Sequence, residues 1–334
     1  VIEEAKSLKQ EIAKKDIPNR LDLREKEIFT IDGEDAKDLD DAVAVEKLEN
    51  GNYLLNVSIA DVSYYVKESS LLDKEAMIRG TSIYMLDRVI PMLPRELSNG
   101  ICSLNQGEDR LAITLLMEID VHGKVLSSDV RKSIIHVTRR MSYKEVQVIL
   151  NAMKSKNHLN KIENSDVLEN LNEQKTNKEE ILPKKQKEKL LKDCQSYLTH
   201  FFNMAELAGI LKQRKRIVGS LNLDIPESKI ILNENGIAVD VKKYEHYFSN
   251  EIIEQFMLIA NETIAEKFYW LEAPFIYRVH EVPDLDKVRE LNQFLWGLGY
   301  KIKTEQEQIH PKAFAQVLEK VQGKKEERVV SNLI

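Results

Sequence analysis

Apolar and polar positions alternate early in the chain and then give way to helical spacing. Ile28-Phe29-Thr30-Ile31 is a short β-branched and aromatic run that predicts a buried strand, closed by the turn pair Asp32-Gly33. Ala42 to Lys47 and Tyr53 to Ile59 read as two more strands around Glu49-Asn50-Gly51-Asn52. Leu111 to Asp120 and Val125 to Val137 form a second hairpin through His122-Gly123, and Lys229 to Val241 a third around Asn235-Gly236. Before the first strand, Glu3 to Lys15 is a polar helical stretch. Later, Leu190, Leu191, Cys194, Leu198, Phe201, Phe202, Ala205, Ala208 and Leu211 recur at helical spacing, predicting one long helix from about 185 to 216. A helix over Glu251 to Trp270 turns Ile252, Phe256, Ile259, Ala260 and Ile264 inward and leaves Glu254 on another face. Helices from Asp284 to Leu298 and Pro311 to Val321 follow. Between 154 and 189 asparagine, lysine and glutamate dominate, which reads as a mobile surface excursion. The fold class is α/β (α+β), a mixed, largely antiparallel sheet flanked by long helices.

The loop between the first two strands changes the picture. Asp32, Asp38, Asp40 and Asp41 crowd into Ile31-Asp32-Gly33-Glu34-Asp35-Ala36-Lys37-Asp38-Leu39-Asp40-Asp41-Ala42-Val43. Two carboxylates about 4 Å apart repel by roughly 4 kcal/mol at an effective dielectric near 20, and several such pairs would compete with the marginal stability of a domain. A divalent cation relieves that repulsion, and hard carboxylate oxygens suit Mg²⁺, with Mn²⁺ as the alternative. In extended chain Asp38 and Asp40 point one way and Asp41 the other, so the loop must bend for all to meet one centre. A solvated acidic loop is the plain alternative, against which Leu39 and the run Ala42 to Val45 tie the carboxylates to a core. An EF-hand fits poorly: counted from Asp38, its glycine position is Val43, and no helix precedes it.

Composition narrows the class of protein. Of 334 residues, 43% are hydrophobic, enough for a sizeable core in one large domain or two smaller ones. Cys102 and Cys194 lie far apart without metal spacing or a secretory pattern, which favours a reducing, cytoplasmic setting. No apolar run approaches a membrane span, and the seven histidines form no ligand cluster. A net charge of −6 sits awkwardly with nucleic-acid binding, but cations are locally dense at Arg131, Lys132, His136, Arg139 and Arg140, and again at Lys212, Arg214, Lys215 and Arg216. The second group equally suits a helix C-terminus.

The segments Arg20-Leu21-Asp22-Leu23-Arg24 and Ile31 to Val43 resemble the opening of the RNB catalytic domain of the ribonuclease R and ribonuclease II family. Ile59-Ala60-Asp61-Val62-Ser63-Tyr64-Tyr65-Val66, Pro91-Met92-Leu93-Pro94-Arg95-Glu96-Leu97-Ser98, Ile101-Cys102-Ser103-Leu104, Phe256-Met257-Leu258-Ile259-Ala260-Asn261-Glu262 and Tyr277-Arg278-Val279-His280-Glu281 continue the likeness in order. The resemblance implies the RNB fold over residues 26–334, with 1–25 leading out of an upstream domain, and an Mg²⁺-dependent, processive 3′-to-5′ exoribonuclease acting on single-stranded RNA as a monomer, without membrane or DNA partners. It implies that Asp32, Asp38 and Asp41 hold metal, while Asp40 orients the water or shares a second metal.

The same resemblance places Tyr84 on the terminal base and Tyr143 and Glu254 at the sugar, whose 2′-hydroxyl both donates and accepts. Tyr84 equally suits an interface or core position with its hydroxyl satisfied, and Tyr143 a packing role on a helix capped by Ser142. Arg95 steers phosphate or pairs with Glu96 or another acid; a buried arginine would need one. His280 is read as structural. Gly219-Ser220-Leu221-Asn222-Leu223-Asp224 departs from the family pattern, with Leu223 where an aromatic clamps the base stack. The late arginine-rich segment of the family is absent, so the chain is expected to lack part of the catalytic machinery, and without flanking oligonucleotide-binding barrels its RNA affinity should be weak. A fragment that binds RNA without cleaving it is the rival reading.

Overall fold

The computed structural model describes residues 1–155, 181–221, 227–280, 282–303 and 310–334. Helix α1 (Ile2–Ser7) leads through a 3₁₀ turn, Lys14–Asp16, to β1 (Leu21–Asp32), β2 (Asp41–Lys47) and β3 (Tyr53–Ala60). Helices α2 (Val62–Tyr65) and α3 (Leu71–Arg79), a hairpin of β4 (Ile83–Tyr84) and β5 (Val89–Ile90), and a π-helical turn, Glu96–Ile101, precede β6 (Asp109–Ile119) and β7 (Val125–Ser142). Then come α4 (Tyr143–Ser155), α5 (Lys184–Asp193), α6 (Leu198–Val218), β8 (Ser228–Leu232), β9 (Ala238–Lys243), α7 (Phe248–Trp270), α8 (Leu285–Gly297), α9 (Pro311–Val321) and α10 (Glu327–Leu333). The fold is thus mixed α/β with a largely antiparallel sheet. Among the described residues no helix is long and apolar enough to cross a membrane.

The chain forms two compact units. The first, Val1–Ile210 with Leu232–Ile237 and His246–Ile264, contains a closed barrel in the order β1-β2-β3-β6-β7. Every barrel pairing is antiparallel except β1 with β7, which run parallel and close it. The run Ala42-Val43-Ala44-Val45 is apolar on both pleat faces because both are covered. Ala42 and Ala44 share a buried cluster with Ile28, Ala60, Ala112, Leu39, Leu97 and Leu104, while Phe29 on the alternate face meets Tyr197 and Phe201 at ring separations of 5.4 and 5.1 Å.

A buried hydroxyl chain crosses three strands: Ser58 Oγ to Thr114 Oγ1 and Thr114 Oγ1 to Ser133 Oγ, each 2.7 Å. The buried Arg20–Asp61 ion pair, 2.7 Å, is completed by Arg20 donating to the carbonyls of Ala112 and Ser133, which leaves neither charge unsatisfied. The second unit, Leu211–Ile231, Ala238–Glu245 and Ala265–Ile334, has its own core of Val288, Leu295, Phe314, Val317, Val321 and Val330 from α8, α9 and α10.

Several expectations are corrected. The helix over Glu3 to Lys15 stops at Ser7, because Ala5 is its only buried anchor and an unsupported polar helix of that length is marginal in water. The helix from about 185 to 216 is two helices, broken by a 3₁₀ turn at Gln195–Tyr197 that sets Tyr197 edge-on to Phe29. The first strand begins at Leu21 rather than Ile28, since its polar half is held by pairing with β7 and by Arg24 bridging Asp22 and Asp109. Of the stretch 154–189, residues 156–180 lie outside the described residues, whereas Lys184 onward is helical.

Candidate functional site

One end of the barrel carries the acidic loop. Asp32 is the last residue of β1 and Asp41 the first of β2, so strand geometry fixes the two ends of the Gly33–Asp40 segment. In its middle Leu39 is 2% exposed and sits in the core with Leu97, Ile101, Cys102 and Leu104. Its neighbours at either side, Asp38 and Asp40, therefore project away from the core. The Leu39 amide donates to Ser103 Oγ at 3.0 Å, Ser103 Oγ donates to the Lys37 carbonyl at 2.9 Å, and the Leu39 and Asp40 carbonyls accept from the amides of Leu104 and Ala60 at 2.8 and 3.1 Å. On the other side Arg140 Nη2 reaches the carbonyls of Ala36, Glu34 and Gly33 at 2.6, 3.1 and 3.5 Å. A loop without ladder partners is thereby held by side chains.

Asp32, Asp40 and Asp41 are each shifted by acidic neighbours in the loop. Burial first, then the charges of Asp32 and Asp40, push the Asp41 carboxyl up to about 6. Asp40 is raised by burial and by Asp38 and Asp32. Asp32 is raised by burial and by Asp38, against the opposing pull of the Gly33 amide, 2.6 Å from its Oδ1, and of the Arg140 charge. Tyr84 is 70% exposed on β4 and its hydroxyl donates to Asp38 Oδ2 at 3.4 Å; the charge of Asp38 raises its phenol. A core role for Tyr84 is excluded by that exposure.

The other candidates are placed as follows. Tyr143 opens α4 directly after Ser142, which pairs with Asp32 in the β1–β7 register. Ser142 and Glu145 form the reciprocal cap, with Glu145 N donating to Ser142 Oγ and Ser142 N to Glu145 Oε2. The Tyr143 carbonyl accepts from Ser249 Oγ at 2.6 Å, which ties the start of α7 to the start of α4. Glu254 is exposed on α7, on the face that the helical spacing leaves free, while Ile252, Ile253 and Phe256 are buried. Arg95 is exposed and pairs with no carboxylate among the described residues, so of its two readings the buried, acid-paired one is not borne out. Leu223 lies outside the described residues. Within the first basic stretch Arg131 pairs with Asp129 and His136 with Asp109, and Arg140 serves the acidic loop.

Ser103, Arg110 and Arg140 were not singled out by sequence reasoning as site residues. Ser103 stands in the Ile101 to Leu104 motif and Arg140 in the basic stretch, so each carried a signal, but of the wrong kind. The donor set is all carboxylate oxygen, and three of the acids are raised by burial first and by one another's charge second, of which a divalent cation would relieve the second, so the residues fit Mg²⁺ or Mn²⁺ in kind. Among the described residues no group of three or more His, Cys, Asp or Glu side chains is already gathered closely enough to hold a metal ion. The fit is thus one of chemistry and neighbourhood rather than of preset coordination.

Comparison with known proteins follows the same line. The chain is 44% identical over 322 residues to ribonuclease R of Thermotoga maritima, covering 96% of this chain and 40% of that protein. It is 38% identical over 335 residues to ribonuclease R 1 of Lactococcus lactis subsp. lactis, covering 100% and 37% respectively. In fold it is similar to Mycoplasma genitalium RNase R in complex with ribose methylated single-stranded RNA, with a TM-score of 0.82 at 24% identity, over 99% of this chain and 46% of that one. The chain thus spans less than half the length of these proteins. The RNB domain model matches residues 20–334, and on that match the chain belongs to the RNB domain family.

Proposed function

We propose that this chain is the catalytic part of an exoribonuclease that hydrolyses single-stranded RNA from the 3′ end and releases nucleoside 5′-monophosphates with Mg²⁺, Mn²⁺ serving in its place. The observation that carries the reading is that the carboxylates of Asp32, Asp40 and Asp41 lie within electrostatic reach of one another or of Asp38 at one barrel end, beside the exposed Tyr84 ring bonded to Asp38. The ribonuclease R names of relatives at 44% and 38% identity support it.

Asp32, Asp38 and Asp41 would hold the cation. Bound there, it supplies a more acidic water and neutralises charge on the phosphate oxygens. Asp40 accepts a hydrogen bond from the attacking water and orients it in line with the scissile bond. The water oxygen joins phosphorus and gives up one proton to solvent, the bond from phosphorus to the 3′-oxygen breaks, and that oxygen takes up one proton, so one water is consumed for each bond cleaved. Tyr84 stacks on the terminal base irrespective of its identity, while Tyr143 and Glu254 read the ribose hydroxyl. Arg95 is free to meet a phosphate. We place the enzyme in the cytoplasm as a monomer.

The test is RNA labelled at its 5′ end in one sample and its 3′ end in another, incubated with Mg²⁺. The reading expects the 3′ label to appear at once as a mononucleotide, while the 5′ label persists in a shrinking strand. RNA that is bound and left intact would instead support the non-cleaving fragment.

A further inference from the structure

We propose that Ser103 is the positioning residue of the acidic loop: a neutral hydroxyl, locked from behind by Arg110, that fixes the direction in which Asp38 and Asp40 face. The inference rests on the metal-dependent reading above. The segment Lys37–Leu39 lies outside both flanking strands, so its backbone groups need partners from elsewhere. A single oxygen supplies two of them, accepting from the Leu39 amide at 3.0 Å and donating to the Lys37 carbonyl at 2.9 Å. Its one proton has a second possible acceptor in Asn105 Oδ1 at 3.2 Å, and the Lys37 carbonyl is the nearer. The Leu104 amide takes the Leu39 carbonyl, and the Leu39 side chain is in the core. With amide, carbonyl and side chain all fixed, Leu39 cannot rotate. The residues on either side of it are thereby held facing away from the core.

Ser103 is itself immobilised. It is wholly buried, and its carbonyl accepts from Arg110 Nε at 2.8 Å. Arg110 is buried too, reaches the Gly100 carbonyl at 3.4 Å, and has its charge answered by Glu108. No bond joins Ser103 to any of the four carboxylates; it acts through the backbone. A neutral group suits the task, since a cation in its place would compete with a metal ion for the same acids. The guanidinium is kept one step back.

The experiment compares the full chain with Ser103→Ala, with Ser103→Thr, which keeps the hydroxyl, and with Val45→Ala, a core truncation away from the loop. Mn²⁺ affinity is measured by titration calorimetry without RNA, melting temperature alongside it, and kcat and KM separately. Ser103→Ala is expected to weaken Mn²⁺ at least tenfold and to lower kcat with KM for RNA little changed. Ser103→Thr should recover much of the affinity, and Val45→Ala should lose melting temperature with Mn²⁺ affinity intact. Wild-type Mn²⁺ affinity in Ser103→Ala, or an equal loss in Val45→Ala, overturns the proposal and leaves the nuclease reading standing. A wild-type chain that takes up no cation overturns both.

Discussion

The Tyr84 hydroxyl lies 3.4 Å from Oδ2 of Asp38, which brings a largely exposed aromatic ring and the acidic loop into one patch. Stacking of a base on an aromatic is worth about 1–3 kcal/mol, or roughly 5- to 150-fold in binding. Tyr84→Ala is therefore expected to raise KM for short oligonucleotides within that range and to leave a longer final product. Tyr84→Phe keeps the ring and should retain the wild-type product length, read on a sequencing gel.

Arg140 donates to three carbonyls of the loop, and its charge also favours the ionised form of Asp32. Removing it acts twice. Arg140→Ala frees the Gly33–Ala36 backbone, which limited proteolysis should detect as new cleavage there. It also raises the Asp32 carboxyl further, so a deprotonated, cation-holding Asp32 is reached only at higher pH. The acid limb of the activity profile is expected to move upward, and Arg140→Lys should restore part of that shift without restoring protection from proteolysis, because an ammonium lacks the guanidinium fork.

How far the chain could be read from its letters differs by element. The β2–β3 hairpin was legible because Asn50-Gly51 is a strong turn signal, and Gly51 does adopt a positive φ of 85°. That Asp38 and Asp40 share one side was legible because residues two apart in extended chain point the same way, and the anchoring of the loop in a core was legible because Leu39 stands between them. Closure of the barrel was not: the outer half of β1 is polar, and its parallel partner β7 lies about a hundred residues away. Ser103 and Arg140 act 66 and 104 residues from the backbone atoms they hold, and a lone serine has no periodicity to announce such a bond. Arg95 stayed open between a phosphate-steering and an acid-paired role because side-chain burial there follows no repeat.

Burial and its acidic neighbours push Asp41 up to about 6, against an ordinary value of 3.8, and Asp32 and Asp40 shift in the same direction. Between roughly pH 4 and 6 the native state then binds more protons than the unfolded chain, so stability without metal falls as pH rises through that window. With EDTA the melting temperature should be higher at pH 5 than at pH 7. Added Mg²⁺ should raise it at pH 7 far more than at pH 5, because protons compete for the same oxygens. Asp41→Asn should flatten the EDTA curve.

The account depends most on Asp40 acting on the reacting water while its neighbours hold the cation. The most direct measurement is mononucleotide release from single-stranded RNA in Mg²⁺ by the wild-type chain and by Asp40→Asn, with RNA affinity determined for both. We expect release by the wild type, its loss by at least a hundredfold in Asp40→Asn, and RNA binding within a few-fold of wild type. Turnover that survives in Asp40→Asn, or that proceeds undiminished in excess EDTA, would contradict the account.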